Sequence, residues 1–333
     1  MTTTPGGAFE ALPLTPGARG PAVQDLQRRL VGAGYDVPAS ERGVFGPATE
    51  AAVEAFQTTR GLRATGVCDA ATWAALVEAG WALGDRLLYL RAPMLRGDDV
   101  AALQRKLSAL GFDTGRVDGI FGPDTERALK DFQRNAGLTC DGVCGREVLT
   151  HLERLGPRVD DAETVAGARE RELLRRAPRA LAGQLVAVGD DAGVGAVSSA
   201  LTRALREAGA EVLPLAEADP SIQAKAANDA GAAVFVGIAM AEQGPCRVFY
   251  YATEGFESAG GQRLAAQVVL ALRDLPMPCA AERGMRLPIL RETRMPAVVC
   301  ELGPATEVVP AVSEVATALA TAVARWAEAP VEA

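Results

Sequence analysis

Gly119-Ile120-Phe121-Gly122-Pro123-Asp124-Thr125-Glu126 decides how the first half of the chain is read, because the same block stands earlier as Gly43-Val44-Phe45-Gly46-Pro47-Ala48-Thr49-Glu50. Upstream of each block, Arg96-Gly97-Asp98-Asp99-Val100-Ala101-Ala102-Leu103-Gln104 repeats Arg19-Gly20-Pro21-Ala22-Val23-Gln24-Asp25-Leu26-Gln27. The spacing between the two blocks differs by a single residue between the copies, so one unit has been duplicated.

Each copy reads as three short helices. In the second, Val100, Leu103, Leu107 and Leu110 recur at helical spacing, and Gly111 follows where a left-handed terminator is wanted. A second helix opens with Pro123 in its first turn, runs through Ala128, Leu129 and Phe132, and ends before Gly137. A third carries Val148, Leu149 and Leu152. Gly119 and Gly122 are expected to allow a tight loop with positive φ that tucks Phe121 into the bundle.

Composition narrows the classes. A chain of 333 residues suits two or three domains, and 49% hydrophobic with 23% charged residues is ordinary for a globular protein. A formal charge of −8 disfavours nucleic acid or an anionic membrane as the main partner. Residues 1–20 lack a basic segment followed by an apolar one, and no apolar run approaches the roughly 20 residues of a membrane span. The six cysteines are scattered, with only Cys140 and Cys144 close in sequence, and reduced thiols are expected. These features point to a cytoplasmic protein.

Residues 156–180 change character. Arg169-Glu170-Arg171-Glu172-Leu173-Leu174-Arg175-Arg176 reads as a solvated, salt-bridged helix in a charged linker. From Leu181 onward, apolar runs alternate with amphipathic helices, which predicts an α/β domain with a mainly parallel sheet. Strands are expected at Leu185 to Val188, Glu211 to Leu215, Ala233 to Ile238, Val248 to Ala252 and Ala297 to Leu302. Helices are expected at Ser198 to Ala208, Gln223 to Ala230, Ala259 to Leu272 and Val312 to Trp326.

The repeats resemble the peptidoglycan-binding domain that accompanies cell-wall hydrolases: V-x-x-L-Q-x-x-L at Val100 to Leu107, D-G-x-F-G-P-x-T at Asp118 to Thr125, F-Q-x-x-x-G-L at Phe132 to Leu138, then Asp141-Gly142. Copy one departs from this pattern with Arg42 in place of Asp118 and Thr65 in place of Asp141. The second half resembles the zinc-dependent N-acetylmuramoyl-L-alanine amidases. That likeness is carried by Leu290-Arg291-Glu292-Thr293-Arg294-Met295-Pro296 running into Ala297-Val298-Val299-Cys300-Glu301-Leu302-Gly303, and by Ala227-Asn228-Asp229-Ala230-Gly231-Ala232-Ala233-Val234-Phe235-Val236-Gly237-Ile238-Ala239. The resemblance implies a multidomain chain: two all-α three-helix peptidoglycan-binding repeats at 14–80 and 88–155, a charged linker, and an amidase-like α/β domain at 181–328.

What the resemblance implies about chemistry is mostly loss. Such an amidase holds zinc with three ligands and leaves one position open for water. The family's first histidine slot falls at about Ala192 and its second at Ala239, and no glutamate lies between Leu185 and Ala204 to supply the third ligand. Glu301 stands at the slot of the general base, but a base needs an activated nucleophile within reach, so it reads as vestigial. Binding candidates are Arg291 and Arg294 beside that stretch and Asp118 and Asp141 in the second repeat. The single histidine, His151, falls in the second repeat, where a helix-surface hydrogen bond is its ordinary fate. Gly189, Gly193 and Gly195, and the Cys140–Cys144 pair, read as structural.

The domain order and the missing ligands are similar to those of cytoplasmic amidase-like regulators of cell-wall synthesis in high-GC Gram-positive bacteria. This implies a pseudoenzyme that needs no cofactor and binds peptidoglycan fragments or precursors. It also implies, as protein partner, the transferase that adds enolpyruvate to UDP-N-acetylglucosamine. Kinase control would have to act on the threonines at the start, Thr2, Thr3 and Thr4. The alternative is a working zinc amidase that recruits Asp190, Asp191 or Cys246 as ligands.

Overall fold

The computed structural model describes residues 12–155, 165–191, 194–241, 244–273, 275, 277 and 279–331. It divides into two compact units, with the boundary between Ala166 and Gly167.

The first unit holds both repeats. Copy one is α1 (Pro21–Gly32), α2 (Pro47–Thr59) and α3 (Ala70–Ala79), and copy two is α4 (Asp98–Ala109), α5 (Pro123–Asn135) and α6 (Arg146–Leu155). α2 and α5 both start on proline behind an extended glycine, Gly46 or Gly122, where the missing N–H costs nothing. Asp124 and Glu126 in the first turn of α5 and Arg134 in its last match the helix dipole. Of the two loop glycines, only Gly119 takes a positive φ, 72°, whereas Gly122 is extended at −95° because it serves as N-cap.

Each copy closes around its own core. Phe45, Phe56 and Leu26 fill the first, and Phe121, Phe132 and Leu103 the second. Equivalent single bridges tie each bundle: Leu14 to Cys68 and Arg19 to Val44 in one, Leu88 to Cys144 and Arg96 to Ile120 in the other. Gly142 shows why the second D-G glycine is needed. Its φ is 74°, and a Cβ there would stand 2.8 Å from Lys130 Cε. Gly142→Ala is therefore expected to cost about 1–2 kcal/mol, measured as a shift in urea midpoint. An unchanged midpoint would show that the turn relaxes.

The second unit begins inside α7 (Val165–Arg176) and continues through β1 (Leu185–Asp190), α8 (Gly195–Glu207), β2 (Glu211–Leu215), α9 (Pro220–Asp229), β3 (Val234–Met240), β4 (Arg247–Thr253), β5 (Phe256–Glu257), α10 (Ala259–Leu272), β6 (Arg283–Met285), α11 (Pro288–Glu292), β7 (Ala297–Leu302), α12 (Ala305–Val308) and α13 (Val312–Glu328). The sheet order is β2-β1-β3-β7-β4-β5, with β6 paired to β4. β1, β2, β3 and β7 are mutually parallel, and β4 runs antiparallel to β7. β3 and β7 are buried almost throughout, as central strands covered on both faces must be.

One face packs under α8, α10 and α13 in a single core that takes in Val188, Ile238, Val248, Cys300 and Leu302. α9 and α11 pack together beside the other face. The segment expected to be a solvated linker helix is partly docked. Leu174 of α7 is buried, and the Glu170 carboxylate accepts from Ser258 Oγ at 2.6 Å and from the Ala259 N–H at 3.2 Å, capping α10. Burial of one apolar side chain and one cap overrides the charge pattern of the helix.

Candidate functional site

Glu301 sits at the carboxyl end of β7 and is 3% exposed. Its register partners are Ala239 on β3 and Arg247 on β4. Asp191, whose N–H donates to the Ile238 carbonyl at 2.9 Å, carries the row one strand further, past Ala239. Because side chains alternate along a strand, these residues face away from the core that holds Ile238, Cys300 and Leu302. The sheet thus places together two positions picked out from far-apart sequence, Ala239 and Glu301. Ala192, the other imidazole slot, lies outside the described residues.

Two of the four positions in the row, Ala239 and Arg247, carry side chains that do not bind zinc. Ala239 offers a methyl group. The Arg247 Nη2 lies 2.7 Å from Glu301 Oε2, with a 4% exposed carboxylate against a half-exposed guanidinium. The contact is an ion pair. A cation already facing the carboxylate repels a second one. Cys246 belongs to the core on the opposite face and cannot join the row. Asp190 uses Oδ2 to accept from Ser198 Oγ at 2.7 Å, and its Oδ1 is buried without a hydrogen-bond partner among the described residues. No group of three or more histidine, cysteine, aspartate or glutamate side chains is arranged to hold a metal among the described residues.

Below the row the face is filled. A Cβ on Gly189 would lie 2.5 Å from Phe235 Cζ, and one on Gly237 would lie 3.1 Å from Phe235 Cε1, so the Phe235 ring lies across both glycines. Gln223 closes the β1 side by donating to the Asp190 carbonyl at 3.0 Å.

The other candidates lie elsewhere. Arg294 precedes β7, and from Ala297 to Glu301 the strand rises about 13 Å at its usual 3.3 Å per residue. Arg291 is on α11, one turn earlier in the chain. Asn228 explains this neighbourhood: its Nδ2 donates to the Glu292 carbonyl and its Oδ1 accepts from the Arg294 N–H, both at 2.8 Å. The stretch around Arg291 and Arg294 is thus joined to the Ala227-Asn228 stretch by a structural clamp at the far end of β7 from Glu301.

Asp118 and Asp141 are turn residues in this fold. Asp141 Oδ1 accepts from the Val143 N–H at 2.9 Å and from Gln133 Nε2 at 2.8 Å, and these bonds hold its carboxyl below the usual range. Asp118 Oδ1 likewise accepts from the Ile120 N–H at 2.8 Å and from Gln104 Nε2 at 2.9 Å. Copy one performs both tasks with different groups. Thr65 Oγ1 takes the place of the Asp141 oxygen, accepting from Val67 N–H and Gln57 Nε2, both at 3.2 Å. In place of Asp118 Oδ1, the main-chain carbonyl of Glu41 accepts from the Val44 N–H and from Gln27 Nε2, both at 2.8 Å, while the Glu41 side chain separately caps α2 through the N–H groups of Ala48 and Thr49, bonds that lower its carboxyl.

Four glutamines organise these turns and were not singled out from sequence. Gln27, Gln57, Gln104 and Gln133 each lie buried on a helix, accept at Oε1 from a loop N–H, and donate through Nε2 to a loop carbonyl. Their signal was present: each follows the hydrophobic residue of an L-Q or F-Q pair at the same place in the duplicated unit. His151 Nδ1 meets the Glu147 carbonyl at 2.9 Å, one turn back on its own helix. Cys144 is buried and its thiol is pushed up to about 12 by that burial, while Cys140 is exposed, so the two do not form a metal pair.

Comparison with known proteins matches the duplicated helical unit. Residues 19–76 and 96–152 match the family model described as a putative peptidoglycan binding domain. The N-acetylmuramoyl-L-alanine amidase CwlM of Mycobacterium tuberculosis is 44% identical over 178 residues, which is 53% of this chain and 42% of that protein. The amidase CwlL of Bacillus licheniformis is 32% identical over 163 residues, covering 43% of this chain and 45% of its own length. The chain thus spans less than half the length of each of these CwlM and CwlL relatives. Among solved structures, the catalytic domain of the amidase CwlV from Bacillus (Paenibacillus) polymyxa var. colistinus aligns over 43% of this chain and 97% of its own, at 19% identity and a TM-score of 0.36. No described helix is long and apolar enough to cross a membrane.

Proposed function

We propose that the chain is a non-catalytic regulator of cell-wall synthesis that binds peptidoglycan or its precursors. The observation that carries this reading is the row Ala239–Glu301–Arg247, in which a methyl group and a guanidinium flank the residue at the base position. A carboxylate paired with arginine has its charge offset without a metal, which weakens it as the base of a metal-activated water. The two family-matched repeats supply binding. The amidase-like domain then serves recognition of the same polymer or its soluble precursors, with the enolpyruvyl transferase as the protein partner to test. Six free thiols suit a reducing, cytoplasmic compartment.

Two measurements on the full chain test this. Purified protein incubated with zinc and washed is expected to carry well below one equivalent of metal and to release no stem peptide from muropeptides. Stoichiometric zinc together with peptide release would overturn the reading. Muropeptide or UDP-linked muramoyl peptide is expected to raise the melting temperature as ligand concentration passes the Kd. If neither shifts it, precursor binding is wrong and the domain recognises protein alone.

A further inference from the structure

Three of the six cysteines, Cys246, Cys279 and Cys300, gather on the core face of the sheet at one place. Cys300 lies on β7 opposite Val248, two residues from Cys246 along β4's direction. Cys246 and Cys279 are parallel bridge partners, and the Ala280 N–H donates to the Cys246 carbonyl at 2.8 Å. Neighbouring strands stand about 4.7–4.9 Å apart, inside the range of about 4.4–6.8 Å that disulfides span between Cα atoms.

Access differs sharply among them. Cys300 is enclosed on all sides, and burial holds its thiol far up. Cys246 is buried, with its sulfur between the carbonyl and N–H of Gly303 at 3.5 and 3.4 Å. Cys279 alone reaches an open cleft of about 460 Å³, lined also by Val269, Arg273, Leu275, Met277 and Glu282. A small oxidant can therefore meet one member of the pair while the other waits behind it. The geometry points to Cys279 as a thiol modification site and to Cys246 as its resolving partner, the two closing a reversible disulfide when the protein meets a hydroperoxide.

The step balances with a hydroperoxide as oxidant. The Cys279 thiolate attacks one peroxide oxygen, the O–O bond breaks, and a sulfenic acid and one water (or alcohol) result. The Cys246 sulfur then attacks the sulfenic sulfur, forming S–S and releasing a second water. The two thiols lose two electrons and two protons in total. Burial pushes the Cys279 thiol up to about 11, so little thiolate is present at neutral pH and the reaction is slow there. Closure would also draw the Cys246 sulfur off Gly303, which follows Glu301 by two residues. Oxidation is thereby tied to the edge of the sheet that carries the Ala239–Glu301–Arg247 row. The inference stands whether or not the amidase-like domain is catalytic.

The test uses the reduced full chain carrying Cys140→Ser, which removes the exposed thiol. After hydrogen peroxide, the intact mass is expected to fall by about 2 Da, and a non-reducing digest should yield a peptide pair joined through Cys246 and Cys279. Dithiothreitol should restore the original mass. The rate should climb about tenfold per pH unit between roughly pH 7 and 9, because the thiolate fraction does so below the thiol's pKa. Cys279→Ser should abolish the mass loss while leaving the far-UV spectrum unchanged. Oxygen added at Cys279 without a cross-link, a cross-link using Cys300 or Cys68, or no reaction where the urea-unfolded chain reacts would each overturn the proposal.

Discussion

Gln104→Ala is expected to destabilise the second repeat by about 3 kcal/mol. The side chain is 1% exposed, and its Oε1 accepts from the N–H groups of Asp118 and Gly119 at 3.1 and 2.8 Å. Its Nε2 donates to Asp118 Oδ1, the Ile120 carbonyl and Thr125 Oγ1 at 2.9, 3.2 and 3.0 Å. Truncation leaves several loop groups without partners, and each buried orphan costs about 1–3 kcal/mol unless water reaches it. A bundle of this size has little reserve, since whole domains are stable by only about 5–15 kcal/mol. Hydrogen exchange across residues 98–152 is the measurement, because it reports this copy separately from the other. Protection should collapse there and persist in residues 21–79. The exposed Glu153→Ala, on the same copy, should change neither. If Gln104→Ala leaves protection intact, a water molecule replaces the amide and the clamp is dispensable.

The glutamines also show what sequence could and could not reveal. Hydrophobic spacing located α4, α5 and α6 because their buried positions recur every three or four residues, and that periodicity survives in one sequence. It said nothing of Gln104, since a buried amide looks like any polar residue until its partners are known. Asp118 and Asp141 stand out in the sequence as the aspartates of the two D-G steps of the family pattern. Copy one makes the corresponding bonds with the Thr65 hydroxyl and the Glu41 main-chain carbonyl, which identifies the task as turn formation.

In the α/β unit, Glu211–Leu215, Ala259–Leu272 and Ala297–Leu302 have the bounds that their patterns suggested. β5, β6, α11 and α12, with two to five residues each, are too short to carry a period and did not stand out. Ala239 and Glu301 could be picked as slots of a family pattern, and their pairing across β3 and β7 follows from the parallel register. Arg247 could not be found that way. It comes from β4, which runs antiparallel, and only the sheet order places it beside Glu301.

Arg247→Ala carries the second large effect, an expected loss of about 2 kcal/mol in the α/β unit. Removing one partner of a fully buried ion pair costs about 3–5 kcal/mol because the other charge is stranded. An exposed pair is worth about 1 kcal/mol or less. This pair is mixed, with Glu301 4% and Arg247 48% exposed at the side chain, so solvent screens the arginine half and the expected cost falls between those limits. A double-mutant cycle with Glu301→Gln, read by urea denaturation, separates the ion pair from lost packing over the Phe249 ring, whose centroid is 5.9 Å from the guanidinium carbon. Arg247→Ala should cost most, Glu301→Gln less, and the double variant should recover about 1–2 kcal/mol of their sum. A coupling near zero would mean that arginine does not hold Glu301, leaving the carboxylate available at the base position and removing the main support for a non-catalytic domain. A strong coupling would mean that Arg247 holds Glu301, so introducing a single imidazole by Ala239→His should leave zinc affinity unmeasurable while Arg247 stays in place.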